Sequence, residues 1–214
     1  MFQFSIVHNV QQHHHHGFCN VVGTTLCVEN HLLGIATGAN TIMRTVKEIE
    51  NHIITIEKQN NGFEEHIENV MKQITVHLPT HHYSDKFLNQ NNINQIELIR
   101  LFQEHYNAMM FYYNSIDVIL NLNHLFRHKI TNLLTIIPPI LKDDVICNYQ
   151  LVLRIYSNNQ FFSYQIDQNP FKEISLETAP SVMHNVYSII IAQELKNWMN
   201  RTENLIKNLK WKLF

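Results

Sequence analysis

The sequence has little charge, little glycine and no long apolar run, and each shortage removes a class of protein. Only 16% of the 214 residues are charged and the formal net charge is −2, so we expect no basic face for nucleic acid. Five glycines are few for a protein of many tight turns, which argues against a sandwich or barrel. Because no stretch of about 18 apolar residues occurs, no helix is expected to cross a bilayer by itself.

Signatures of catalysis and metal binding are missing as well. The chain has no GxSxG turn, phosphate-binding glycine loop, dinucleotide-binding fingerprint or HExxH helix. A histidine run at 13–16 could bind a transition metal, but an adventitious or tag-like run is the simpler interpretation. The pair His124 and His128 has zinc-ligand spacing, but no third ligand stands at a telling distance. We therefore expect no enzyme activity, cofactor, metal site or small-molecule substrate. A histidine-bound metalloprotein is kept only as an alternative.

Three cysteines make an odd number and form no CxxC pair, which excludes a zinc ribbon and a thioredoxin-type motif. Cys19 and Cys27 could bridge a short loop in an oxidising compartment. The alternative is three free or buried thiols, with Cys147 as the third.

The strongest pattern is a heptad repeat between residues 42 and 74. Its steps alternate between four and three, which is typical of a helix that keeps one stripe facing a partner helix. β-Branched residues at the d positions favour three or more strands, and a polar residue at an a position can fix the register. The predicted oligomer core, called the heptad stripe below, is Ile42, Val46, Ile49, Ile53, Ile56, Asn60, Phe63, Ile67, Val70 and Ile74.

Two alternatives to a trimeric coiled coil stay open. The same stripe can form the core face of one helix in an intramolecular bundle. The turn signal Asn60-Asn61-Gly62 could also fold the segment into a helical hairpin. Beside the stripe, His52 and His66 stand at positions that face glutamates across a parallel coil, so both are candidate pH-sensing residues. Two solvated histidines on a polar flank are the simpler interpretation.

The remaining segments predict a mainly α fold with a long heptad helix, packed outer helices and a small β-hairpin. Pro138-Pro139 should end the second helical region or bend it. The expected order is a flexible leader (1–16), a Gly-rich apolar segment (17–39), the heptad helix (40–78), a connection (79–92), a second helical region (93–145), a β-hairpin (146–171) and a C-terminal helix (181–214).

The segment 17–39 combines small and apolar residues, and its glycines at 34 and 38 are spaced for close helix approach within lipid. It is therefore a candidate membrane-seeking segment, and a packed N-terminal part of the core is the alternative. Its candidate residues are Gly17, Phe18, Val21, Val22, Gly23, Leu32, Leu33, Gly34 and Gly38.

Three pieces of sequence stand in an order that is known from one family. They are Gly17-Phe18-Cys19-Asn20-Val21-Val22-Gly23-Thr24 with Leu33-Gly34 before a heptad helix, Thr135-Ile136-Ile137-Pro138, and Leu151–Ile155 followed by Asn169-Pro170-Phe171. This order resembles the fusion subunit of F-type envelope proteins of baculoviruses and of the related Env proteins of gypsy-like insect retroelements. The resemblance covers roughly residues 17–171. The family's basic cleavage site, cysteine-rich region and anchor do not occur in this sequence, so an internal piece or a degraded, domesticated copy is expected.

The resemblance implies a class I fusion-protein-like fold and a role in membrane fusion. Residues 42–74 would form the centre of a homotrimer, and 17–39 would contact a virion envelope or a host membrane. Without the resemblance, the expectation is a soluble intracellular helical bundle that serves as an interaction or oligomerisation module.

Overall fold

The computed structural model is mainly α-helical, as the sequence predicts. It describes Cys19 and residues 28–58, 62–88, 93–121, 128–157 and 181–213, and none of these residues lies in a β-strand. The α-helices are α1 (Val28–Glu57), α2 (Phe63–Ile74), α3 (His82–Leu88), α4 (Gln95–Leu120), α5 (His128–Ile140), α6 (Cys147–Tyr156) and α7 (Ser181–Leu213). A 3-10 turn (Thr75–His77) follows α2, and a π-helix (Leu141–Ile146) joins α5 to α6.

The long helices α1, α4 and α7 organise the bundle. α1 packs along α7 and also against α5, the π-helix and α6, whereas α4 packs against α6, α7 and α5. The C-terminal helix predicted from the sequence is α7, and its apolar face, including Leu195, Trp198 and Leu209, is buried. Apolar residues from the described helices meet in one core. Helix formation therefore follows mainly from burial of these apolar faces.

Helix α4 begins at a capping box. The Asn94 side chain accepts a hydrogen bond from the Glu97 backbone N–H at 2.9 Å, and the Glu97 carboxylate accepts one from the Asn94 N–H. The Lys86 ammonium, the strongest influence on Glu97, and the Asn94 N–H together lower the pKa of that carboxyl. Two backbone donors that the helix leaves unpaired are satisfied in this way.

The long heptad helix is not continuous. α1 starts at Val28 rather than near residue 40 and ends at Glu57, and α2 starts at Phe63 after Gly62, whose φ of 103° is left-handed. Such a residue cannot continue a right-handed helix. The prediction of one helix over 40–78 is therefore wrong at this point, and Asn60 lies outside the described residues.

The predicted β-hairpin is also corrected in its first half. Residues 150–156 belong to α6, because Tyr149, Val152 and Leu153 face the core at helical spacing and are fully buried. Packing on α4 and α1 overrides the β propensity of this run. The second half of the hairpin lies outside the described residues.

The two prolines do not end the second helical region. Pro138 and Pro139 lie inside α5, and the chain continues through the π-helix into α6. Proline has no N–H to donate to the preceding turn, and a π-helical stretch directly after the pair changes the hydrogen-bond register without ending the helix. The predicted connection at 79–92 likewise contains a helix, α3.

Candidate functional site

The heptad stripe of α1 is buried within a single chain from Ile42 to Ile53, and Ile56 at its end is half-buried. α7, α5, the π-helix and α6 cover it from the same chain. Burial of one such side chain contributes on the order of 1.5–3 kcal/mol, so the face is a major source of stability. The residues of this face with 0% exposure are Leu32, Ile35, Ala39, Ile42, Val46, Ile49 and Ile53.

Two polar contacts between α1 and α7 show that these helices are antiparallel. The Lys196 ammonium donates to the buried Glu50 carboxylate at 2.6 Å, and the Asn185 amide donates to Glu57 at 2.5 Å. Higher numbers on α1 thus pair with lower numbers on α7. Because Glu50 is only 9% exposed, its charge needs Lys196 as a partner.

The stripe is interrupted where α1 ends. Gly62 takes the left-handed conformation, and a Cβ added there would meet no atom within 4 Å. Glycine is therefore favoured at this position by its backbone conformation and not by crowding.

After this break, the chain returns along α7 in the opposite direction. Phe63 lines the same groove as Ile189, and farther along the chain the ring of His81 stacks on Trp198 with centroids 3.9 Å apart. Residue numbers therefore increase in the same direction along α7 and along the chain from Phe63 to His81. This part of the chain, which begins with α2, runs antiparallel to α1. The hairpin alternative of the sequence corresponds to this arrangement. In the α2 part of the stripe, Phe63, Val70 and Ile74 are buried on the same molecule and Ile67 is half-buried.

A covalent bond and a hydrogen bond meet at the start of α1, and the four residues that make them are called the N-terminal clasp: Cys19, Cys147, His31 and Asn148. Cys19 and Cys147 form a disulfide across 128 residues of sequence. The His31 Nδ1 lies 2.7 Å from the Asn148 Oδ1. This pairing corrects both expectations for the cysteines. Cys19 is not bonded to Cys27, and Cys19 and Cys147 are not free thiols.

Two glycines let α1 approach the π-helix and α6 closely. A Cβ at Gly34 would lie 2.9 Å from the Asn148 Nδ2, and one at Gly38 would lie 2.8 Å from the Asp144 Cβ. The Asn148 Nδ2 is itself held, because it donates to the Asp144 carbonyl at 2.8 Å. The spacing that sequence analysis assigned to packing in lipid is used here for packing inside the bundle.

A second cluster, called the polar junction, joins α3, α4, α6 and α7. It consists of Ser84, Glu104, His105, Tyr149 and Thr202. The His105 Nε2 lies 2.8 Å from the Ser84 Oγ, and its Nδ1 lies 3.0 Å from the Thr202 hydroxyl and 3.2 Å from the Tyr149 hydroxyl. The Ser84 hydroxyl donates to Glu104 at 2.8 Å. Ser84 therefore accepts from the Nε2–H of a neutral imidazole, and Nδ1 accepts from the opposite side.

The protonation of the polar junction follows from its burial. Desolvation, followed by the nearby charges of His81 and Arg201, lowers the pKa of His105 to about 3. Desolvation, with Arg201 again contributing, lowers the pKa of His81 to about 4, although Asp85 opposes this shift. Both imidazoles are thus neutral at neutral pH.

The Ser84–His105 contact does not form a nucleophilic site in this arrangement. Ser84 is 3% exposed and His105 is 0% exposed, so a substrate cannot reach the hydroxyl. The Ser84 proton points to Glu104 rather than to the imidazole. Glu104 also accepts the Tyr83 N–H at 2.5 Å, so its carboxylate caps the start of α3.

The candidate membrane-seeking residues divide between described and undescribed positions. Leu32 is buried in the core and Leu33 is 54% exposed, while Gly34 and Gly38 contact the π-helix and α6. In this packing, the described part of the segment therefore matches the alternative of a packed N-terminal core. Gly17, Phe18, Val21, Val22 and Gly23 lie outside the described residues.

The candidate pH-sensing residues lie away from both clusters. His66 is exposed on α2 and His52 is half-buried on α1. Their role as sensors stays a prediction. Among the described residues, no three His, Cys, Asp or Glu side chains are placed to hold a metal ion, and none of the described helices is long and apolar enough to span a bilayer.

Sequence reasoning missed the partners that define the two clusters. His105 lies 21 residues from Ser84 and 97 from Thr202, so no local motif joins them. The only available signal was a histidine among the apolar positions of α4. Likewise, no sequence spacing indicated that Cys147 would pair with Cys19. Comparisons with protein-family models, with curated proteins and with solved structures find no match to this chain.

Proposed function

We propose that the bundle is the closed packing of a fusion subunit like those of F-type envelope proteins, in which one copy holds its own heptad stripe against α7. The observation that carries this proposal is the register across the break. Ile56 and Phe63 are seven residues apart and continue the same heptad, although they belong to different helices. A hinge that changed into helix would join α1 and α2 without shifting either half of the stripe.

The joined helix would be long enough to act as a central coil. Residues 28–74 at 1.5 Å per residue would extend roughly 70 Å with the stripe along one side. α7 could not cover α1 and α2 as it does now, because they lie antiparallel in the closed packing. Other copies would then supply the missing cover, and β-branched residues at d favour three strands. The free-energy difference between the two packings would drive fusion.

In this function, the N-terminal segment is withheld until α1 moves. Leu32 is buried, and Gly34 and Gly38 contact the π-helix and α6. Release of the start of α1 would expose these residues. A membrane surface and two further copies of the chain are the partners proposed.

The test weakens the α1–α7 contact by changing one charge. Lys196→Glu places a carboxylate beside buried Glu50, so α7 should detach from α1. Lys207→Glu is the matched control, because the Lys207–Glu203 pair lies along the surface of the same helix. With the Cys19–Cys147 bond reduced by dithiothreitol, we expect Lys196→Glu to sediment as a trimer and to float with phosphatidylcholine vesicles. The control in the same buffer should keep the mass of the unchanged protein. A variant whose α1 amides exchange rapidly, yet which remains monomeric and unbound, contradicts fusion activity.

A second function is a helical interaction module without fusion activity. The burial of the apolar face of α1 by other helices of the same chain favours it. Ile42, Val46, Ile49 and Ile53 are 0% exposed with no other copy present. A bundle with a satisfied core needs no second packing. Under this function, Lys196→Glu loses stability but gains neither mass nor affinity for vesicles.

A further inference from the structure

We propose that the Cys19–Cys147 disulfide is a thiol-sensitive latch that holds the start of α1 on the π-helix and α6. Its proposed consequence, exposure of a membrane-seeking segment, rests on the function proposed above. The latch itself does not, because it concerns the contacts of the closed bundle alone.

The position of the bond supports this role. Cys147 is the first residue of α6, and the next residue, Asn148, bonds His31 of α1. Cys19 and the first turns of α1 are therefore attached at one place on the bundle.

After reduction, the beginning of α1 still has the His31–Asn148 hydrogen bond, the close approaches of Gly34 and Gly38 and the buried side chains of Leu32 and Ile35. No covalent bond then ties the chain before this helix end to the bundle. Farther along α1, Ile42 to Ile53 are covered by several helices and Glu50 is paired with Lys196. Reduction should therefore loosen the beginning of α1 before it affects the rest.

The bond is open to chemical attack from one side. Cys19 is 9% exposed, whereas Cys147 is only half-buried, so we expect attack at the Cys147 Sγ. A thiolate of an external dithiol would attack it and form a mixed disulfide, and Cys19 would leave as a thiolate and take up a proton. The second thiol of the reagent would then attack the mixed disulfide, and Cys147 would leave as a thiolate and take up a proton. The reagent becomes a cyclic disulfide, and its two electrons reduce the protein bond to two thiols.

The experiment measures amide exchange along α1 with and without dithiothreitol. A Cys27→Ser background ensures that the only protein thiols to appear are those of the bond. We expect reduction to speed exchange at 30–38 at least tenfold and to leave 42–53 within twofold. Cys19→Ser in that background should show the fast exchange without the reagent and no further change with it. Unchanged exchange at 30–38, or equal acceleration throughout α1, overturns the latch.

A second readout separates the latch from the proposed function. The reduced protein and Cys19→Ser are mixed with phosphatidylcholine vesicles and separated by flotation. Fast exchange at 30–38 with flotation supports both proposals. Fast exchange without flotation supports the latch and overturns the membrane role of the N-terminal segment. Flotation with slow exchange overturns the latch.

Discussion

The heptad stripe of α1 and the polar junction around His105 are both buried, but they differ in how they are specified. The stripe consists of apolar side chains at regular spacing on one helix, and any apolar surface of suitable shape can cover it. The junction needs particular hydroxyl and carboxylate partners from four helices at distances near 3 Å. Under the proposed function, the stripe would exchange one apolar partner for another, whereas the polar junction would hold only in the packing described here. The lowered pKa of His105 predicts that the junction, unlike the apolar stripe, makes stability depend on pH.

The largest expected effect concerns the stripe. Ile49→Ala removes a fully buried side chain and should lower the free energy of unfolding by about 3–4 kcal/mol, because a cavity remains among the covering helices. Ile54→Ala is the control, since Ile54 is 53% exposed on the same helix. Urea denaturation of both variants measures the difference. Equal losses would mean that the stripe is not the buried face.

The next effect concerns the pH response of the junction. Burial lowers the pKa of His105 to about 3 in the folded protein from an ordinary value of 6.5, so below pH 6.5 the unfolded chain binds a proton that the folded chain does not. Stability is therefore present above that pH and is lost as the pH falls, by about 2 kcal/mol at pH 5. Unfolding measured between pH 7.5 and 5 tests this slope.

Two variants test whether the polar junction causes this dependence of the unfolding free energy on pH. His105→Gln should remove the His105 part of the pH dependence of the unfolding free energy and leave the part that His81 causes, although it also lowers stability at neutral pH. His66→Gln changes an exposed histidine and should leave the slope as it was. A slope that disappears with His66→Gln instead would restore the candidate sensor proposed from the heptad flanks.

A smaller effect should distinguish the two glycines of α1. A methyl group at position 38 would meet Asp144 and Val145, whereas one at position 34 would meet the side chain of Asn148. Gly38→Ala should cost about 1–2 kcal/mol despite its better helix propensity, because the π-helix must shift. Gly34→Ala should cost less, since one side-chain end can move. Thermal unfolding of the pair compares them, and the reverse order would contradict the close packing at Gly38.

The smallest effect concerns the break in the stripe. Gly62→Ala must place an alanine at a left-handed φ, so it should destabilise the closed packing by about 1 kcal/mol and favour a continuous helix. Gly62→Asn is the control, because asparagine tolerates this conformation better. Sedimentation at rising concentration should show association for the alanine variant first. Identical behaviour of both variants would argue that the break does not limit assembly.

The regular part of the fold could be predicted because local spacing encodes it. The stripe and the apolar face of α7 recur every three or four residues, and the structure buries both. The end of α1 was less certain, since the turn signal Asn60-Asn61-Gly62 and the heptad register predict opposite outcomes. Tertiary packing along α7 favours the turn within one chain.

The clusters could not be predicted because their members are distant in sequence. The Cys19–Cys147 bond spans 128 residues, and nothing local distinguishes it from another pairing. α6 was predicted as strands because Leu151 to Ile155 is rich in β-forming residues, and its contacts with α1 and α4 decide otherwise. Pro138 and Pro139 predicted a break, but the following π-helix carries the helix onward.

The distance between residues 47 and 72 tests most directly whether one chain buries its own stripe by folding back after Glu57. Lys47 and Lys72 are both exposed, so each can be replaced by cysteine and spin-labelled in a Cys27→Ser background without disturbing the core. One continuous helix would separate the two backbone positions by about 37 Å. The antiparallel arrangement of α1 and α2 predicts a much shorter distance in the monomeric protein. A distribution centred near 37 Å in the monomer would contradict it.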